Sequence, residues 1–113
     1  MPESKEPEPK EHQLQTNGIN LTYFEWGDPA AEPVLLIHAT GFHARCWDRV
    51  VAELGDGYHV YAVDMRGHGR SDNTPPYVWE SFAADVSGLI EHLGLTGAIG
   101  VGHSMGGHAL VQV

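Results

Sequence analysis

The chain has 113 residues, 42% of them hydrophobic, enough for one small globular domain and too few for two. Its formal charge of −9 with histidines neutral weighs against nucleic acid and against insertion at an anionic membrane, both of which call for a basic footprint. A single cysteine, Cys46, excludes an intrachain disulfide; with no membrane-length apolar run and no apolar leader after Met1, a cytoplasmic protein is expected.

Residues 1–11 are rich in Pro and Glu and cannot bury apolar surface, so they read as a disordered acidic tail before a domain over 12–113. The stretch "HQLQTNGINLTYFEWG" alternates in polarity around Asn17-Gly18, a pair that accepts positive φ, and predicts a β-hairpin. "PVLLIHA", Pro33 to Ala39, is a continuous apolar run of strand length, as expected of a strand covered on both faces. In "ARCWDRVVAELG", Trp47, Val50, Val51 and Leu54 fall at helical spacing and Gly55 supplies the stop. "YHVYAVDM" predicts a second buried strand and "RGHGRSDNTPP" a loop. Trp79, Phe82, Ala83, Val86, Leu89, Ile90 and Leu93 make one apolar helical stripe ended by Gly94, and "GAIGVGH" is a third strand. A hairpin followed by β-α-β-α-β and the start of another helix implies an α/β fold: a mostly parallel sheet with right-handed crossovers and helices on both faces.

The stretch "VGHSMGGHAL" fits a strand tip, a tight turn and a helix start. Gly102-His103-Ser104-Met105-Gly106 satisfies G-x-S-x-G in the strand-to-helix context that the motif needs. A sharp turn there forces the serine into a strained backbone. It also requires small neighbours two residues to either side, where a side chain would meet the adjacent strand or helix. Two other readings compete with it: a Gly/Ser helix cap serving packing alone, and a dinucleotide loop. The second needs G-x-G-x-x-G, and after Gly100 and Gly102 the third glycine comes one residue late.

Two further loops leave the carboxyl edge of the same sheet, "HATGFHARCW" and "DMRGHGRSD". In the second, Asp64 and Arg66 can lock the loop through charge-assisted bonds, a structural role. Taken in order, "IHATGF", "DMRGHGRSD" and "GHSMGG" resemble the α/β-hydrolase fold family, its lipase/esterase-like branch in particular, over about His12 to Val113. The resemblance implies Ser104 as nucleophile, with the backbone N–H groups of Met105 and Thr40 as oxyanion donors. His38, Gly102, His103 and Gly106 would support the loop and the elbow. It implies an acyl substrate of small-molecule size, since the branches that open epoxides or displace halide carry aspartate at the elbow. One departure is visible: Ala39 stands where the family usually has glycine.

A serine hydroxyl needs a base, and the base an orienting acid, in the chain order Ser, Asp or Glu, His. The nine residues after Ser104 hold no Asp or Glu and one histidine, His108, on the helix that the elbow points away from. His103 and His38 read as packing residues. None of the eight histidines has metal-site spacing, so no metal and no cofactor are expected. The expectation is therefore the N-terminal part of a hydrolase domain, truncated after the elbow and inactive alone. The alternative is a non-catalytic small-molecule binder of the same fold.

Overall fold

The computed structural model describes residues 8–112, without the side chains of Asp56, Met105, His108, Val111 and Gln112; most of the expected tail lies outside this range. Five strands form one sheet: β1 (Lys10–Thr16), β2 (Ile19–Trp26), β3 (Glu32–Ile37), β4 (Tyr58–Val63) and β5 (Ile99–Gly102). The helices are α1 (Asp48–Leu54), α2 (Trp79–Leu93) and α3 (Met105–Gln112). β1 starts at Lys10, so the last two residues assigned to the tail belong to a strand. Lys10 and Glu11 pair with Glu25 and Phe24, and the ladder continues to Thr16 and Ile19 across a turn in which Asn17 and Gly18 have φ of 50° and 78°. Two successive positive φ values are the geometry of the twist-matched hairpin turn that Asn-Gly favours.

The sheet order is β1-β2-β4-β3-β5. The hairpin joins through an antiparallel β2–β4 pairing, and β4, β3 and β5 run parallel. Alternation divides the core. Leu21, Tyr23, Leu35, Ile37 and Val63 point to α2 and α3, where Phe82, Val86, Leu89 and Ala109 meet them. Phe24, Trp26, Val34, Leu36 and Val60 point the other way, against Ala44 and Val51. Helices thus cover both faces, and strands buried on both sides read in sequence as unbroken apolar runs.

The helix expected over "ARCWDRVVAELG" is split: Ala44–Trp47 is a 3-10 turn and α1 begins only at Asp48. Val50 and Trp79, expected in the buried stripes, are 41% and 42% exposed. α1 has seven residues and offers one face to the sheet through Val51. Trp79 opens α2 and packs its ring edge-on to Phe82 rather than into the sheet.

Register brings the three parallel strands to a common end. Ile37 lies opposite both Val63 and Gly102, so the segments beginning at His38, Asp64 and His103 emerge side by side.

Candidate active site

Ser104 is exposed, between β5 and α3, with φ of 55°. Its turn is held at both ends: His103 N–H donates to the Ile37 carbonyl at 3.0 Å, and Gly106 N–H to the His103 carbonyl at 3.0 Å. A Cβ on Gly102 would lie 2.4 Å from the Gly107 nitrogen, and one on Gly106 would lie 2.2 Å from the Ile37 carbonyl oxygen. Any side chain at Gly102 thus strikes the start of α3, and at Gly106 it strikes β3. Contact of main chain on main chain is the reason for both glycines.

Beside the elbow, Phe42 N–H donates to the Ala39 carbonyl at 3.1 Å, closing a β-turn over residues 39–42. Gly41 has φ of 86°, as the third residue of a type II turn requires. Thr40 is the exposed second residue, whose N–H takes no part in the hydrogen bond closing that turn. Ala39 is not in the left-handed region, so its Cβ is accommodated where the family usually has glycine. His38 is buried below; its Nε2 accepts from Met65 N–H at 2.9 Å and its Nδ1 donates to the Ala39 carbonyl at 2.7 Å. This pattern needs the neutral ring with its proton on Nδ1. Burial agrees with it, pushing the His38 pKa below the ordinary histidine value.

Asp64 and Arg66 are both buried, and each has partners other than the other. The Asp64 carboxylate accepts from Ala44 N–H at 2.7 Å and Arg70 N–H at 2.9 Å, fixing the start of the 3-10 turn to the loop after β4. Ser71 Oγ donates to the Asp64 carbonyl and accepts from Thr22 N–H at 2.8 Å. Arg66 makes a two-pronged pair with Asp85 of α2, with both bonds at 2.9 Å, and reaches the Pro76 carbonyl at 3.2 Å. Asn17 Nδ2 also donates to Asp85 at 3.0 Å, so hairpin, loop and helix meet at one carboxylate. Sequence reasoning missed Asp85; the available signal was a lone acid beside an apolar helical stripe.

A family model described as the alpha/beta hydrolase family matches residues 34–113. The chain belongs to this family. It is 42% identical over 94 residues to a non-heme chloroperoxidase of Streptomyces lividans, covering 81% of this chain and 34% of that protein. It is 37% identical over 102 residues to epoxide hydrolase A of Mycobacterium tuberculosis, covering 87% of this chain and 32% of that protein. The solved thioesterase domain from the curacin biosynthetic pathway superposes with a TM-score of 0.82 at 32% identity, over 88% of this chain and 38% of that one. The chain thus spans about a third of the length of the curated relatives it matches.

The elbow and the loop after β3 also touch through side chains. The His103 ring stacks on Phe42 with centroids 6.2 Å apart and an interplanar angle of 27°. A cleft of about 220 Å³ opens there, walled mainly by Phe42, Cys46, Trp47, Val50 and His103. Trp47 Nε1 in its wall is buried without a hydrogen-bond partner among the described residues. Neither the Met105 nor the His108 side chain is among those described. Among the described residues, no group of three or more His, Cys, Asp or Glu is arranged to hold a metal ion, and no helix is long and apolar enough to cross a membrane.

Proposed function

We propose that the protein is a serine hydrolase acting on a small acyl substrate, an ester, thioester or amide, through an acyl-enzyme on Ser104. The observation that carries the reading is the left-handed Ser104 backbone at a strand-to-helix turn flanked by glycines that admit no side chain. Strain of this kind persists where surrounding structure enforces it, and it collects at working residues. In the proposed reaction Ser104 Oγ adds to the acyl carbon as its proton leaves to a base. The carbonyl oxygen becomes an anion and is met by the N–H groups of Thr40 and Met105; its collapse breaks the bond to the alcohol, thiol or amine, which leaves with the proton the base had taken, and water then adds to the acyl-enzyme in the same way to release the acid and restore the Ser104 hydroxyl. Serine rather than aspartate at the elbow favours acyl transfer over the chemistry named for the epoxide hydrolase relative.

The test is turnover of short activated esters by the complete protein. Ser104→Ala is expected to abolish it by several orders of magnitude, as loss of a triad member does. Thr40→Pro is a second probe, because proline suits the second position of a type II turn and removes the N–H. Loss of one oxyanion donor is expected to lower kcat about 10²–10³-fold, with Thr40→Ser near wild type. Wild-type turnover in Ser104→Ala would defeat the nucleophile assignment, and equal effects of the two Thr40 changes would defeat the donor assignment.

A further inference from the structure

The chain has a formal charge of −9 and six Lys and Arg residues in all, yet two of its arginines meet at one cavity. This cavity, of about 220 Å³, opens between the loop after β3 and the loop after β4, with Arg45, Arg70 and His43 in its wall. It is separate from the cleft beside Ser104. Phe42 and Cys46 line that cleft, while His43 and Arg45, from the same segment, line this cavity.

The Arg45 guanidinium is held in a fixed plane. It lies over the Phe24 ring, 5.9 Å from the centroid, and Asp48 accepts from its Nε at 2.8 Å and pairs with its Nη2 at 2.7 Å. Arg70 pairs with Glu11. Neither Asp48 nor Glu11 belongs to the cavity wall, so both acids grip the guanidinium groups from outside it. Asp64 is the acid in the wall, and its oxygens accept from the Ala44 and Arg70 N–H groups. A Cβ on Gly69 would lie 2.4 Å from the Asp64 carboxyl carbon, so the main chain packs directly on that group. Each guanidinium carries its donors in a rigid fork, and His43 has a ring N–H in either tautomer. Donors converging from two loops suit a phosphate, which accepts through three oxygens, better than a carboxylate with two. The space exceeds what a bare ion needs, since one water takes roughly 30 Å³ in the liquid. We infer that this cavity is a binding subsite for a soluble phosphate ester, whose phosphate bridges Arg45, Arg70 and His43. The subsite does not depend on the role proposed for Ser104.

The test is titration of the complete protein with glycerol 3-phosphate at fixed ionic strength, followed by NMR through the arginine side-chain N–H signals. Saturable binding is expected, with inorganic phosphate weaker. Arg45→Gln and Arg70→Gln are each expected to raise Kd about tenfold or more, through loss of one charge-assisted contact. Arg70→Lys, which keeps the charge and loses the fork, should fall between. Arg49→Gln is the control: Arg49 is exposed on α1, lies near Glu53 and stands outside the cavity wall, so Kd should not change. Arg70 is largely exposed, so its replacement keeps the fold, and an unchanged thermal midpoint checks this. Absence of saturable binding, or equal losses in Arg49→Gln and Arg70→Gln, would overturn the subsite. Inorganic phosphate binding as tightly as glycerol 3-phosphate would overturn the assignment to an ester.

Discussion

Ser104 holds a left-handed backbone that costs a residue with a Cβ about 1–2 kcal/mol. The turn enforces it: Gly102 and Gly106 press on α3 and β3, and the His103 and Gly106 N–H groups are tied to the main chain. Replacing the serine by glycine removes the clash and adds back about 0.5–1 kcal/mol of lost chain entropy. Ser104→Gly is therefore expected to stabilise the fold by about 0.5–1 kcal/mol while removing the hydroxyl. The midpoint of urea unfolding checks this, and a midpoint unchanged or lowered would mean that the turn does not strain the residue. Such a trade of stability for a fixed Oγ is what the nucleophile role proposed for Ser104 requires.

At the scale of elements, one buried ion pair joins α2 to the loop after β4. Asp85→Ala would leave the Arg66 guanidinium buried, with backbone carbonyls as partners but no counter-charge. Breaking a buried pair from one side costs about 3–5 kcal/mol, whereas replacing both partners by apolar residues of similar volume is often close to neutral. Asp85→Ala is thus expected to be the worse variant in thermal unfolding, and Arg66→Met with Asp85→Leu to recover part of the loss. A double variant less stable than Asp85→Ala would show that the pair's other bonds, to Asn17 and Pro76, dominate. Asp85 also marks the limit of pattern reading. Periodicity shows the stripe of α2 and unbroken apolar runs show β3 and β4, because burial along each of these elements is written in its own local pattern. The elbow was readable because its glycines and serine answer a local steric demand. Pattern could not show that Asp85 faces an arginine nineteen positions away, nor that His12 and His59 would converge on Glu25 from different strands. There burial pushes the Glu25 pKa up, but the histidine bonds outweigh it and hold the group below its ordinary value. Val50 and Trp79 were misplaced for a related reason: helical spacing names a face, and the length of the neighbouring elements decides whether that face is covered.

Across the whole molecule, the two outer strands of the sheet differ in kind. β1 presents Lys10, Glu11, Gln13 and Gln15 to solvent, and charge or polarity on an edge discourages pairing with another chain. β5 pairs with β3 alone among the described residues and carries no charge. Ile99 and Val101 lie opposite Val34 and Leu36, so they continue the apolar face that packs against Ala44 and Val51. They remain 45% and 39% exposed, while Val34 and Leu36 are 4% and 1% exposed. An apolar, uncharged edge with free backbone donors and acceptors is a template for a second strand. The 113-residue chain is expected to self-associate through β5 as its concentration rises. Val101→Lys places a charge on that edge without touching the elbow, and it should shift the association to higher concentration. Gln13→Lys, on the opposite edge, should leave it where it was. Sedimentation velocity over a dilution series reads both effects. A chain that stays monomeric throughout the series, or equal shifts from the two lysines, would mean that the β5 edge is not the surface that pairs.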